Sequence, residues 1–214
     1  MIFVPIDLII FDCDGVILDS VNIKTNTFAM LFSQHGEDFV KEVVDYHLAN
    51  GGVSRYEKFK YYYTELLGQD LDSTKMLELD NSFNEISFQS ILQTPFISGA
   101  IQFIRQNYRK WSLYVASGAP ERELLEIFDK RGLLKYFKGV YGSPTSKKNL
   151  VAKIVKDNQV DPESVLMIGD SDTDEEAASF VGTRFLGVGS SWPYNDSLID
   201  LVELESYIYN LSLD

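Results

Sequence analysis

Cys13 is the only cysteine in the 214-residue chain, which excludes an internal disulfide and any zinc cage built on several thiolates. A reducing cytoplasm is the compartment this usage suggests. No apolar stretch approaches the roughly 20 residues that cross a bilayer, so no membrane span is expected. The N-terminal "MIFVPIDLIIF" lacks the basic start and small-residue cleavage site of a secretory leader, and the mature chain is expected to begin as shown. No basic stripe offsets the formal net charge of −13. That field repels nucleic acid and anionic lipid, and neither is expected as a partner. A small anionic substrate would be repelled at long range too, unless a local cation, side chain or metal, concentrates it. Repeats and low-complexity segments are also missing. What remains, with 45% hydrophobic and 24% charged residues, is an ordinary globular composition.

Short β-rich apolar runs at residues 6–11, 111–116, 139–141, 165–168 and 184–188 read as strands. Helical patterns lie between them. Residues 101–108 precede the second strand, and "PERELLEIFDKRG" runs from Pro120 at an N1 position to Gly132 at C′. "KKNLVAKIVKDN" follows the third strand and "TDEEAASFVG" the fourth, with a last helix over 198–211. The alternation predicts an α/β fold, a Rossmann-like doubly wound parallel sheet with helices on both faces. Residues 20–93 break it with helical periodicity alone. "NIKTNTFAMLFSQHG", "SRYEKFKYYYTELLG" and "STKMLELDNSFNEISFQSIL" space their apolar residues by three and four, with stops at Gly36 and Gly68. The expected organisation is a core domain, 1–19 and 95–214, carrying an inserted α-helical domain, 20–94. The aromatic run 61–63 reads as helix packing rather than a base-stacking platform.

Ligands of open α/β sheets bind at the carboxyl ends of the strands. Those positions hold Asp12 and Asp14 after the first strand, Ser117 and Gly118 after the second, and Lys147 and Lys148 beyond the third. Asp170 and Asp174 follow the fourth. Each has a plain structural reading: a loop or N-cap acid, a capping serine, solvated lysines, acids at a helix's positive end. Four such groups in order, each after a strand, point instead to one site. Crowded carboxylates raise one another's pKa unless a cation sits among them, and hard oxygen donors suit Mg²⁺. Metal and lysine together could hold a phosphate in an acidic protein. A carboxylate facing that phosphate could attack it to form an aspartyl-phosphate.

On these residues the chain resembles the haloacid dehalogenase-like superfamily, in its branch of phosphoglycolate phosphatases and beta-phosphoglucomutases with a helical cap. "DCDGVILDS" is similar to the family's first motif, "VASG" to the second, "SPTSKKNL" to the third and "GDSDTDEEAA" to the fourth. The inserted helices stand where the family has its cap. The resemblance implies a Mg²⁺-dependent phosphatase of a small phosphorylated metabolite, a sugar phosphate or phosphoglycolate. It implies Asp12 as nucleophile and metal ligand, and Asp14 as general acid and then base, with its backbone carbonyl on the metal. Ser117 and Gly118 would hold the phosphoryl group, Lys147 (or Lys148) would neutralise it, Asp170 would bind the metal directly, and Asp174 would orient from the outer shell. "NGGVSRYEKF" is similar to the cap's specificity loop, with Gly51 and Gly52 for a tight turn. There Arg55 would meet a substrate carboxylate or hydroxyls, or else form a surface ion pair.

Departures separate the subtypes. Dehalogenases do without the second acid, and Asp14 is present. Mutases of the superfamily carry a cap histidine twelve residues after the nucleophile, where this chain has Lys24. Lys24 would then approach an anionic substrate, or simply be a solvated helix lysine. A sugar-phosphate mutase and a phosphoacceptor module of receiver type remain the alternatives. The stretches "NGGVSRYEKFK" and "YGSPTSKK" also resemble phosphatases of sugar and surface-polysaccharide pathways.

Overall fold

Strand β1, Leu8–Phe11, is buried along its whole length, as a central strand of a parallel sheet covered on both faces must be. The computed structural model describes residues 4–189 and 196–211. Met1 and the two residues after it, which open the N-terminal segment weighed as a leader, lie outside the described residues. After β1 come helices α1 (Val21–Leu31), α2 (Glu37–Ala49), α3 (Arg55–Tyr61) and α4 (Ser73–Gln93). The chain then alternates: α5 (Ala100–Asn107), β2 (Ser112–Pro120), α6 (Glu121–Lys130), β3 (Gly139–Ser143), α7 (Lys147–Asn158), β4 (Val165–Gly169), α8 (Asp172–Val181) and β5 (Arg184–Val188). Strand β6 (Ser197–Leu198) and α9 (Leu204–Asn210) complete it.

Among the described residues, six parallel strands form one sheet in the order β3-β2-β1-β4-β5-β6. The expected doubly wound α/β fold is the one observed. The period of two is legible in β1. Leu8 and Ile10 pack with Leu150 and Ile154 of α7 and Ala177 of α8. Ile9 and Phe11 pack with Phe103 of α5, Leu124 and Phe128 of α6 and Leu204 of α9. Register places the strand ends level, because Phe11 pairs with Val115 on one side and Ile168 on the other. The residues just beyond those three therefore reach the same rim of the sheet. The Asp12 N–H extends the ladder by donating to the Ile168 carbonyl at 2.8 Å.

The inserted helices have a separate aromatic core of Phe28, Phe32, Phe59, Tyr62, Tyr63 and Phe83. Tyr62 satisfies its buried hydroxyl by donating to the Val43 carbonyl at 3.1 Å. Tyr61 stacks on Tyr46 with centroids 3.7 Å apart, so the 61–63 run is helix packing. The two chain crossings to these helices pair with each other. Thr94 Oγ1 donates to the Asp19 carbonyl at 2.6 Å, and the Ile97 N–H to the Ile17 carbonyl at 3.0 Å.

Three readings need correction. Helix α2 was not singled out among the quoted helical segments. Strand β2 runs on to Pro120, through a register shift after Ala116, because Pro120 pairs with Ser143; Pro120 is thus the N-cap of α6 rather than N1. The last helix starts at Leu204, not at 198, because residues 197–198 add to the sheet beside Gly187 and Val188. The helical spacing of Leu198, Leu201, Leu204 and Ile208 is real, but strand pairing overrides it at its start.

Across the join, Arg55 of α3 is buried between Glu123 of α6, with which it hydrogen-bonds, and Asp80 of α4 at 3.5 Å. Its guanidinium carbon also lies 4.4 Å over the Phe83 ring. Removing one partner of a buried ion pair leaves a charge without compensation, at a cost of about 3 kcal/mol. Glu123→Ala is therefore expected to lower stability by about that amount in urea unfolding followed by circular dichroism. A loss under ~1 kcal/mol, the usual worth of exposed pairs, would mean that Arg55 escapes to water.

Candidate active site

Asp12 sits one residue past the last core position of β1 and is 2% exposed. Asp170 follows β4, and Asp174 lies in the first turn of α8 with no exposed surface. Carboxylate oxygens of these three residues all lie within 4.8 Å of one another. Lys147, at the start of α7, places its Nζ 2.6 Å from Asp174 Oδ1 and 3.3 Å from Asp12 Oδ2. Lys148 instead faces outward and pairs with Glu176 at 3.0 Å. Of the two lysines, only Lys147 reaches the cluster. Ser171 donates to Asp174 Oδ2 at 2.5 Å, whereas Asp12 Oδ1 is buried with no hydrogen-bond partner among the described residues.

Glycine makes the approach of these acids possible. Gly15 has φ +74°, and a Cβ there would overlap the Asp170 carboxylate. Gly52 of the inserted segment has φ +72° and lies against Thr173, Ser171 and Lys147, so a side chain at 52 would collide with all three. Thr173 Oγ1 donates to the Gly51 carbonyl at 3.0 Å. The glycine turn read from the sequence is thus the point where the insert rests on the rim.

Electrostatics follow from this crowding. Burial pushes the Asp12 carboxyl up despite Lys147, with Asp174 and Asp14 adding to the rise. Burial, then Asp12 and Asp174, push Asp170 up as well. Burial would lower Lys147, but Asp12 and Asp174 outweigh it and hold the ammonium above its usual range. Asp14 behaves differently. Burial alone would raise it, but Lys24 Nζ at 2.5 Å and the Ser20 hydroxyl at 2.5 Å hold it below the usual carboxylate range. Cys13, between the two acids in sequence, is buried, and its thiol is pushed up by burial and then by Asp14.

Asp174, expected as an outer-shell group, stands in the same carboxylate cluster as Asp12 and Asp170 with its oxygens on Lys147 and Ser171, while the Asp14 side chain lies off the cluster on Lys24. Lys24 is itself neither free nor solvated, because Asp14 holds it. The set fits a divalent cation: three hard oxygen donors, one with an unused acceptor, converge on one point with a deficit of positive charge.

Ser117 is 1% exposed, and its Oγ accepts the Ala119 N–H at 3.2 Å; it does not cap α6. Gly118 approaches the Gly52 carbonyl so closely that a Cβ would collide with it. A cavity of about 490 Å³ lies between sheet rim and inserted helices. The rim contributes Asp12, Asp14, Ser117, Gly118 and Asp170; the insert contributes Lys24, Phe28, Arg55, His47 and Lys58. Arg55 lines this cavity, but protein carboxylates already occupy its guanidinium. His47 and Lys58 were missed. The signal for Lys58 was its spacing: Arg55, Lys58, Phe59 and Tyr62 fall on one helix face, and that face is buried.

Residues 9–188 match the family described as haloacid dehalogenase-like hydrolase. The chain is 28% identical over 200 residues to a phosphoglycolate phosphatase of Vibrio parahaemolyticus, covering 89% of this chain and 86% of that protein. It is 26% identical to a phosphoglycolate phosphatase of Aliivibrio fischeri, covering 95% and 94%. A solved structure of a "predicted phosphatase" from Clostridium acetobutylicum superposes with a TM-score of 0.75 at 17% identity, covering 96% of this chain and 99% of the other. That likeness establishes the fold alone.

Because Asp12 and Asp170 hold protons more tightly than ordinary carboxylates, a cation entering between them must displace protons. Its affinity should therefore rise as pH rises from 6 to 8. Calorimetric titration with Mg²⁺ in buffers of different ionisation enthalpy should show proton release, and Asp170→Asn should abolish the heat of binding.

Proposed function

Since the chain belongs to the haloacid dehalogenase-like hydrolase family, we propose that it is a Mg²⁺-dependent phosphatase of a small phosphorylated metabolite. The substrate would be of the sugar-phosphate or phosphoglycolate type, and the reaction would pass through an aspartyl-phosphate on Asp12. One observation carries this reading. Asp12 lines the cavity with its Oδ1 lacking a hydrogen-bond partner among the described residues and its Oδ2 beside Lys147, and Ser117 stands on the same rim.

Asp12 attacks phosphorus, and the bond from phosphorus to the ester oxygen breaks as Asp14 protonates that oxygen. Water then attacks the aspartyl-phosphate, Asp14 takes its proton, and inorganic phosphate leaves Asp12. Lys147 holds the nucleophile's charge and orientation from 3.3 Å, while Ser117 and the backbone at Gly118 receive the phosphoryl oxygens. When bound, Mg²⁺ supplies charge neutralisation between the carboxylates and the phosphoryl group. Asp12, Asp170 and the backbone carbonyl of Asp14 would hold it, with Asp174 beside them. The inserted helices act as a cap, 20–94, over a core of 1–19 and 95–214; closed, it excludes bulk water and selects the leaving group. Stabilisation of a metaphosphate-like transition state by placement and charge is the main source of rate.

Lys24 supports hydrolysis over a mutase, because it occupies the place of the mutase histidine and is bound to Asp14. A receiver-type module is disfavoured by the family match and by the helices inserted after β1.

With Mg²⁺, p-nitrophenyl phosphate should turn over repeatedly, and Asp12→Asn should lower kcat about a thousandfold or more. A stable stoichiometric phosphoprotein without turnover would favour the receiver instead. Lys24→Met has a signed pH consequence. Lys24 lowers Asp14, so its removal lets burial raise that carboxyl. The limb of the kcat profile that needs Asp14 protonated, which falls as pH rises, should then move to higher pH.

A further inference from the structure

Lys58 lies on α3, is 2% exposed, and lines the cavity from the side opposite the sheet rim. Its Nζ makes two contacts, with His47 Nδ1 at 2.8 Å and the His47 carbonyl at 3.3 Å. The Phe28 ring lies 5.7 Å away. Every other cation at this site has a protein carboxylate: Lys24 has Asp14, Arg55 has Glu123 and Asp80, and Lys147 has Asp12 and Asp174. Among the described residues, Lys58 has none within ion-pair distance. Buried ammonium groups are ordinarily paired.

We propose that Lys58, braced by His47, is the receptor for a carboxylate on the substrate, so that the substrate class is a phosphate monoester that is also a carboxylic acid. This inference rests on the phosphatase reading and narrows it. An ammonium has three N–H donors. His47 faces two of them, leaving one for a ligand. One free donor is enough for a carboxylate oxygen, and Arg55, whose fork could grip a larger anion at two points, is already engaged. Lys58 itself is buried, with Phe28 and Phe83 lining the same cavity, and burial strengthens one well-placed charge contact. Burial lowers Lys58 to about 7, with Lys24 lowering it further and Asp14 opposing. Burial, then Lys58, lowers His47 to about 3, so His47 stays neutral as an acceptor at neutral pH. A substrate carboxylate supplies the counter-charge that the protein omits here. The cavity, about 490 Å³, is of ligand size, which fits one small phosphorylated acid.

The test compares matched pairs that differ in a carboxylate: 3-phosphoglycerate against glycerol 3-phosphate, and 6-phosphogluconate against glucitol 6-phosphate. In the wild-type enzyme the acid of at least one pair should have the higher kcat/KM, by about tenfold or more. Lys58→Met should collapse that ratio to within about threefold of unity, and Lys58→Gln serves if the methionine variant fails to fold. Independently of any variant, gluconate should inhibit wild-type hydrolysis of p-nitrophenyl phosphate competitively, and glucitol should not. A ratio that Lys58→Met leaves intact, equal inhibition by gluconate and glucitol, or a preference for fructose 1,6-bisphosphate over every carboxylate would overturn the assignment. Those results would leave the phosphatase standing. Absence of turnover on all monoesters, p-nitrophenyl phosphate included, would instead defeat the phosphatase reading and this inference with it.

Discussion

Three carboxylates share one ammonium at the rim of the sheet, and much of this structure can be understood as what is needed to hold them there. Asp12, Asp170 and Asp174 come within 4.8 Å of one another, and Lys147 alone touches two of them. Left to itself such a group would protonate, spread apart or unfold its surroundings. The fold prevents the spreading by geometry. Two acids are the first residues beyond neighbouring parallel strands whose register is fixed by buried apolar side chains. A third is pinned by Ser171 at the start of α8. Gly15 and Gly169 leave room for the carboxylates of Asp170 and Asp174 where any larger residue would push them out.

The inserted helices answer this acidity from the other side. In a chain with a formal net charge of −13, they bring Lys24, Arg55 and Lys58 to the cavity wall. Two of those cations cross the join to core carboxylates, Lys24 to Asp14 and Arg55 to Glu123. The join thus adds ion pairs and a glycine turn to an apolar contact in which Ile91 and Phe88 of α4 and Ile23 of α1 pack into the core cluster. Such ion pairs are strong when dry and weaken as water enters.

Legibility followed the periodicities. The strands could be read because parallel-sheet positions buried on both faces form short apolar runs, and the polar residues at their ends stood out against those runs. Which polar groups would meet was less accessible. Lys147 and Lys148 are adjacent in sequence, and only the path of α7 turns one to the acids and the other to Glu176. Asp174 could be placed on the first turn of a helix, but its entry into the cluster depends on the absence of a side chain at Gly169. Arg55 was found for its position in a glycine-rich loop, yet its partners lie 25 and 68 residues away in sequence, beyond any local pattern. Residues 197–198 read as helix because their spacing is helical, and only an available sheet edge at β5 made them a strand.

The Lys24–Asp14 pair bears on which reaction this arrangement favours. In the proposed cycle an aspartyl-phosphate can be passed to water or to a second hydroxyl; Asp14 would serve as base for either, so what separates the outcomes is which acceptor the cavity holds. Lys24 holds Asp14 below the usual carboxylate range, which favours the form that takes a proton once the leaving group has gone. The pair spans the join, one member on the first loop of the core and the other on α1. A neutral imidazole at position 24 would hold Asp14 in place without the same electrostatic pull. The ammonium favours the basic form that takes the proton from water, and it does so against the acid form that the leaving oxygen needs first. Lys24 thus sets the balance between the two steps proposed for Asp14.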